Sequence, residues 1–484
     1  MRIERGVVNA NATPQLTPRR KQAILAICCM SLLLVAIDNT IVNVALPSIR
    51  RDLHTSISGL QWIIDAYTLV LASLLLLSGS TADRLGRRRT FQTGLALFVG
   101  GSLLCSLAPS LNWLIAARMI QGVGGSMLNP VAMSIITNVF TEPRERSRAI
   151  GVWGAVVGIS LALGPVVGGA LTESIGWRSI FWINVPIGLA AIVLSALFVP
   201  ESRAARARRV DPVGQILVIV ALASLTYAII EGPKAGWSSA QTIGMFVLAL
   251  AAAAGLIAYE PRRIDPLIEL RFFRSAPFSG ATLIAIATFT AFGGFLFLNT
   301  QYLQNVRGYS PLQAGLCTLP MAALAMVCSP QSGRLLSRRG PRLPLMISGT
   351  CIVVATLMLT QLTAHTPLLL LLFSYGIFGI GFGTVNPPIT YTAVSGMPNS
   401  QAGVAAAVAS TSRQVGQTLG VAIIGSIVGS ATSAGLGVKL AAASHPAWWT
   451  IVGCGTLVLA LGLASTGQWA RHTASALGEE LATA

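Results

Sequence analysis

Asp38, Asp65 and Arg118 are charged residues that stand well inside long apolar runs of this 484-residue chain. A carboxylate at the centre of a membrane-spanning helix costs about 2.5–3.5 kcal/mol on insertion scales, so each acid needs a partner, water or a proton. Burial favours the neutral carboxyl, and a carboxyl that is neutral in one state and charged in another is what reversible proton binding requires. One helical turn beyond Arg118 comes Gln121, which puts both on one polar face with Gly122 and Gly125 nearby. The expectation is that Arg118 tunes the proton affinity of an acid, Asp38 before Asp65. A structural acid satisfied by neighbouring hydroxyls is the alternative for either. The remaining acids, Asp211 and Glu260 among them, fall in loops or tails, and Glu231 at the end of the seventh apolar run.

A second set consists of polar or aromatic residues inside the runs: Asn39, Asn43, Gln61, Trp62, Tyr67, Gln121, Asn129, Asn299, Gln301, Tyr302, Asn386 and Tyr391. A mostly apolar cavity with few fixed polar groups suits varied amphipathic ligands. Taken singly, each reads equally as an interface anchor or an interhelical hydrogen bond.

These residues need membrane helices to hold them. The chain is 53% hydrophobic and 10% charged, with a mean hydropathy of +0.70. Its net charge of +17 comes from short clusters between apolar runs, not from one stripe, which argues against nucleic acid as a partner. Seven cysteines without paired spacing exclude a disulfide framework or zinc site. The four histidines are scattered in loops or tails, so neither a metal site nor a catalytic base is expected. None of the three lysines ends a phosphate loop, which excludes direct ATP hydrolysis. No ring-forming selectivity filter is evident. Secondary transport is the class that survives, with a channel or an integral-membrane enzyme as the competing classes.

Fourteen apolar spans begin near residues 22, 59, 90, 112, 149, 180, 213, 240, 278, 311, 343, 367, 402 and 447. At roughly 21 residues each they leave no room for a soluble catalytic domain. Twenty-six of the 33 Lys and Arg residues fall on one side and six on the other, with Arg118 inside a span. The positive-inside rule then places both termini in the cytoplasm. Gly79, Arg84, Gly86 and Arg88 recur as Gly333, Arg338, Gly340 and Arg342, each shifted by 254 residues. The repeat predicts two six-helix halves, 22–200 and 263–470, separated by two additional helices in 201–262, with tails at 1–21 and 471–484.

Six strings sharpen this. The loop Gly79–Phe91 reads GSTADRLGRRRTF, where glycines permit close backbone approach and Asp83 can meet an arginine or a helix N-terminus. Ile37–Pro47 reads IDNTIVNVALP, Leu114–Gly125 LIAARMIQGVGG and Trp177–Gly188 WRSIFWINVPIG. Gly158–Gly169 reads GISLALGPVVGG, whose Gly158, Gly164, Gly168 and Gly169 allow close helix packing while Pro165 favours a kink. With SRQVGQTLGVA at Ser412–Ala422, the chain resembles the major facilitator superfamily, and within it the fourteen-helix drug:proton antiporters. The resemblance implies an all-α polytopic protein in the plasma or inner membrane that exports small molecules against protons, without a cofactor, as a monomer. It implies an inner-face latch at Gly79, Asp83, Arg84, Gly86, Arg87 and Arg88, which breaks as the halves rock. The glycine string of span 5 is the exporters' mark, and the arginine matching Arg118 takes part in proton transfer.

Overall fold

The computed structural model describes residues 16–204, 210–263, 265–431 and 438–483, and among them every regular element is helical. Arg2, Arg5, Arg206, Arg208 and Arg209, counted above with the positive clusters, lie outside the described residues, as does the side chain of Lys439.

Helix starts follow local chemistry. Thr17, Ser56, Ser110, Ser239 and Ser310 each cap the following helix with a side-chain oxygen. Pro18, Pro143, Pro212 and Pro311 sit in first turns, where no N–H is needed. The chain runs through α1 (Pro18–Leu53), α2 (Ile57–Leu85), α3 (Arg87–Ser106), α4 (Leu111–Val139), α5 (Pro143–Ser174), a short α6 (Ser179–Trp182) and α7 (Asn184–Phe198). A hairpin of α8 (Pro212–Ala235) and α9 (Ala240–Tyr259) follows. Next, α10 (Ala276–Gln301) continues into a π-helical turn, Tyr302–Val306, before α11 (Pro311–Cys317), α12 (Leu319–Arg339) and α13 (Arg342–Leu357). Last are α14 (Leu368–Val394), α15 (Asn399–Ala431), α16 (Val438–Ala464) and α17 (Gln468–Thr483).

Eleven helical stretches among the described residues are long and apolar enough to cross a membrane. The expected spans that fall short are α3, which opens on Arg87–Arg89, α13, with 16 residues, and α15, which carries Arg413, Gln414 and Gln417. Each packs along neighbours that do qualify, α3 on α4, α13 on α14 and α16, and α15 on α10.

The helices sort into two bundles. In the first, α1 packs on α5, α2 on α4, and α3 on α4 and α7; in the second, α10 packs on α15 and α16, and α12 on α14. The bundles meet where α2 lies on α15, α5 on α11 and α12, and α1 on α10, and α8 covers the seam between α2 and α15. Gly86 and Gly340, the repeated glycines, turn the chain between helices with φ of 112° and 75°, a region that favours glycine. The segment expected to be a tail forms α17. Its Ala470, Ala474, Leu477 and Leu481 share one helical face and are buried, in part against Phe272 and Phe278.

Candidate functional site

At the centre of the first bundle Asp38 and Arg118 meet. Arg118 Nη1 donates to Asp38 Oδ2 at 2.6 Å and to Gln121 Oε1 at 2.8 Å, while Gln121 Nε2 donates to Asp38 Oδ1 at 2.8 Å. The pair is sealed from solvent, Asp38 at 0% and Arg118 at 1% exposure. Arg118 Nε donates to the Ile63 carbonyl at 3.1 Å, and the guanidinium lies 4.3 Å from the centroid of the Tyr67 ring and 5.8 Å from that of Phe181. Ring stacking together with donation from Nη1 and Nε in two different directions suits arginine and not lysine.

A further member of this network, Asn184, carried no sequence signal of its own. Its Nδ2 donates to Ser102 Oγ at 3.0 Å and approaches Asp38 Oδ1 at 3.4 Å. It lies in the WRSIFWINVPIG string, and the structure explains that string residue by residue. Trp177 Nε1 and Arg178 Nη1 both donate to Asp52, at 2.9 and 2.7 Å, which anchors the approach to α6. Phe181 then faces Arg118, and Asn184 faces Asp38.

Asp65 stands apart from this pair, on the α2 face turned to α15. Its Oδ1 takes a long 3.5 Å contact from Thr68 Oγ1, which itself accepts from Thr418 Oγ1 at 2.9 Å across the seam. Asp65 Oδ2 has no hydrogen-bond partner among the described residues. One turn earlier, Gln61 Nε2 donates to the carbonyls of Val421 at 3.2 Å and Ala422 at 2.7 Å.

Gln61 belongs to a seal that closes one end of the seam. Gln304 Nε2 donates to the Val44 carbonyl at 2.7 Å, and the exposed Glu173 accepts from the Leu312 N–H at 3.2 Å. A Cβ on Gly169 would stand 2.5 Å from the Pro311 carbonyl oxygen, and one on Gly315 would strike the Pro165 carbonyl. At the arginine-rich end the glycines tell the opposite story. Gly79 of α2, Gly151 and Gly154 of α5, Gly333 of α12 and Gly403 of α15 have nothing within 4 Å of a Cβ position. The molecule is therefore closed at one end and parted at the arginine-rich end.

Within the α5 string, Gly164 and Gly168 pack on Thr40 and Ile41 of α1, whereas Gly158 and Gly169 face Met326 and Pro311 across the seam. The loop of the expected latch is held inside its own bundle. Arg87 Nη2 pairs with Asp83 Oδ1 at 3.1 Å, the Arg87 N–H donates to the Ser202 carbonyl at 2.9 Å, and Glu201 accepts from the Arg88 N–H at 3.2 Å. Glu201 also fills the space beside Gly86, where a Cβ would stand 2.5 Å from its Oε1.

The wider polar set occupies several separate environments. Tyr67 and Gln121 serve Arg118 and Asp38, and Gln61 serves the seal. Trp62 Nε1 donates to Glu231 Oε1 of α8 at 2.8 Å, Gln301 accepts from Asn305 at 2.7 Å, and the Tyr302 hydroxyl donates to the Thr363 carbonyl at 2.6 Å. Asn299 accepts from the Tyr375 hydroxyl, and Asn43 Nδ2 donates to the Asn39 carbonyl at 3.0 Å. Asn39 and Asn129 keep side-chain carbonyl oxygens without partners. Asn386 is half-buried and Tyr391 exposed.

No group of three or more metal-ligating side chains is present among the described residues. Two further acids placed in loops by sequence, Asp211 and Glu260, prove to be buried.

The profile of the Major Facilitator Superfamily matches residues 28–421. The chain is 39% identical over 84% of its length to the multidrug resistance protein Stp of Mycobacterium tuberculosis (strain CDC 1551 / Oshkosh), covering 76% of that protein. It is 37% identical to the tetracenomycin C resistance and export protein of Streptomyces glaucescens, over 83% of this chain and 74% of that one. It is 35% identical to the multidrug efflux pump LfrA of Mycolicibacterium smegmatis, over 85% and 81%. Among solved structures, a bacterial homologue of the human lysosomal transporter Spinster, inward-facing and unoccupied, aligns over 97% of this chain and 99% of its own, with a TM-score of 0.61 at 17% identity. The helical fold, the loop strings and a match that spans most of the chain lead to one assignment: this multi-pass membrane protein belongs to the Major Facilitator Superfamily of transporters.

Proposed function

We propose that the protein exports amphipathic drugs, antibiotics or other toxic compounds in exchange for protons, by alternating access. The observation that carries this reading is Asp38, a fully buried acid whose charge is balanced by Arg118 and whose remaining lone pairs are met by Gln121 and Asn184. Protonating Asp38 removes the charge that Arg118 leans on, so proton occupancy and the arrangement of α1, α4 and α7 are coupled. Asp65, with one oxygen unpartnered beside the α2–α15 seam, is the second candidate. The names of the relatives support export of toxic compounds, and the tetracenomycin relative favours an antibiotic or other cell-made product as the second reading.

On this reading the parted end, which carries the arginine clusters, faces the cytoplasm from a plasma or inner membrane, with both termini inside. In this arrangement the cell's side admits the compound. The halves 22–200 and 263–470 then rock, the seal around Gln61, Gln304, Gly169 and Gly315 opens, and the loop at Gly79–Arg88 latches the inner side shut. A proton taken up by Asp38 on the outside returns with the protein. The proton gradient is the energy source, no cofactor takes part, and a monomer is the working unit. One proton gains about 2.3 kcal/mol per 100 mV and about 1.4 kcal/mol per pH unit. Together these sustain roughly a few hundredfold gradient of a neutral compound.

The test is substrate-driven proton movement in proteoliposomes. Wild type is expected to release protons on substrate addition and Asp38→Asn to lose that coupling. Unchanged coupled export by Asp38→Asn would remove Asp38 as the carrier.

A further inference from the structure

Asp211 and Glu260 are 3% and 1% exposed, although both lie in connecting segments. Asp211 caps α8: its Oδ1 accepts from the Gly214 N–H at 3.0 Å and from the Tyr259 hydroxyl at 3.3 Å. Glu260 opens the turn that ends α9, so the hairpin folds the start of one helix against the end of the other. The space between them exists because residue 214 is glycine. A Cβ there would stand 2.6 Å from Glu260 Oε1 and 2.8 Å from Asp211 Oδ2.

Among the described residues Asp211 Oδ2 completes no hydrogen bond, and the Glu260 carboxyl is approached by the backbone N–H groups of Leu267 and Ile268, in the segment leading to α10, without closing a full hydrogen bond. Arg263 is a cation near Glu260 among the described residues, and its guanidinium lies over the Tyr259 ring, 5.6 Å from the centroid. Among the described residues no salt bridge reaches either acid.

Two ionised carboxylates aimed into one small buried space repel each other, and burial adds to the cost. A single proton turns that repulsion into a short O–H···O hydrogen bond, and it then belongs to the pair. We propose that Asp211 and Glu260 bind one proton between them, forming a protonation site at the arginine-rich end of the α8–α9 hairpin that is separate from Asp38 and Asp65. Loss of that proton drives apart the two helix ends beside the linker into α10.

Infrared difference spectra of the full chain in nanodiscs, between about pH 5 and about pH 8, read protonated carboxyls directly. The expected result is a protonated-carboxyl band that persists in Asp38→Asn and Asp65→Asn and is lost in both Glu260→Gln and Asp211→Asn. A proton shared by the folded pair and not held by the unfolded chain contributes stability at low pH that is lost as pH rises and the pair gives it up. Apparent melting temperature should fall with pH in wild type and fall less in Glu260→Gln, whose amide N–H can donate to Asp211 in place of the proton. Proton-coupled export should continue in Glu260→Gln, which separates this site from the Asp38 reading. The proposal is overturned by a Glu260→Gln protein whose spectrum and pH–stability curve match wild type. A Mg²⁺-dependent rise in melting temperature that Glu260→Gln abolishes would also overturn it, since the pair would then be a cation site.

Discussion

Asp38→Asn preserves the shape of the side chain and removes its charge, which leaves the surrounding network without a consistent set of donors and acceptors. Asp38 accepts from Arg118 on one oxygen and from Gln121 and Asn184 on the other. If the asparagine oxygen stays with Arg118, its NH₂ meets the two side-chain amides as a third donor. If the amide turns over, the NH₂ meets the guanidinium. Turning Gln121 does not help, because its Oε1 already accepts from Arg118 at 2.8 Å. Removing one partner of a buried ion pair costs about 3–5 kcal/mol, chiefly from the charge left alone. The structure also specifies the repair. In Asp38→Asn combined with Gln121→Glu, the new carboxylate accepts from Arg118 and from the asparagine NH₂, so the charge balances and only the long Asn184 approach loses its acceptor. Unfolding of the purified variants, followed in one detergent, should rank wild type above the double variant and the double variant clearly above Asp38→Asn. A single variant within about 1 kcal/mol of wild type, or a double variant no better than the single, would refute the pairing as the basis of the site.

Other perturbations test the closed end and the loop at the arginine-rich end. Gly169→Ala and Gly315→Ala push a methyl group into backbone carbonyls of the opposite bundle; both should part that end, read as faster alkylation of a cysteine placed at Gln304. Gly158→Ala meets only the flexible Met326 side chain at 3.0 Å and should leave that rate unchanged. Gln61→Leu removes the side-chain donor that ties α2 to the Val421 and Ala422 carbonyls, which keep their partners within α15, at a net cost of about 0.5–1.5 kcal/mol, and the same alkylation assay should register the shift toward the opened seal. Glu201→Ala frees the Arg88 and Ser202 N–H groups that its Oε1 holds, so amide exchange across Asp83–Arg89 should quicken while that of α4 stays constant.

The Asp38–Arg118–Gln121 cluster was legible in the sequence because a charge in an apolar run has few ways to be satisfied, and a glutamine one turn away is the simplest of them. Asn184 was not, since an uncharged amide in a membrane helix is inexpensive enough to need no explanation. Asp211 and Glu260 read as solvated because prolines and arginines flank them, and only the closure of the hairpin over Gly214 puts them together. Gln61 and Trp62 read as cavity residues by type, but type does not give the direction in which a helix face points. Their partners turned out to be α15 carbonyls and Glu231. The C-terminal helix escaped notice because its apolar face is built largely of alanine, which carries little hydrophobic signal until Leu477 and Leu481 are seen packed in place.

Among the described residues, the bonds and close contacts named above at the closed end of the seam come from amides, backbone carbonyls and glycines, apart from Glu173 at its exposed rim. An electric field does work only on charge that moves through it, about 2.3 kcal/mol per elementary charge per 100 mV. Parting these groups moves none. Membrane voltage thus has no lever on the gate itself and acts only through what the protein carries, the proton and whatever charge the cargo bears. For a neutral cargo the opening of this end should be as frequent in a de-energised membrane as in an energised one.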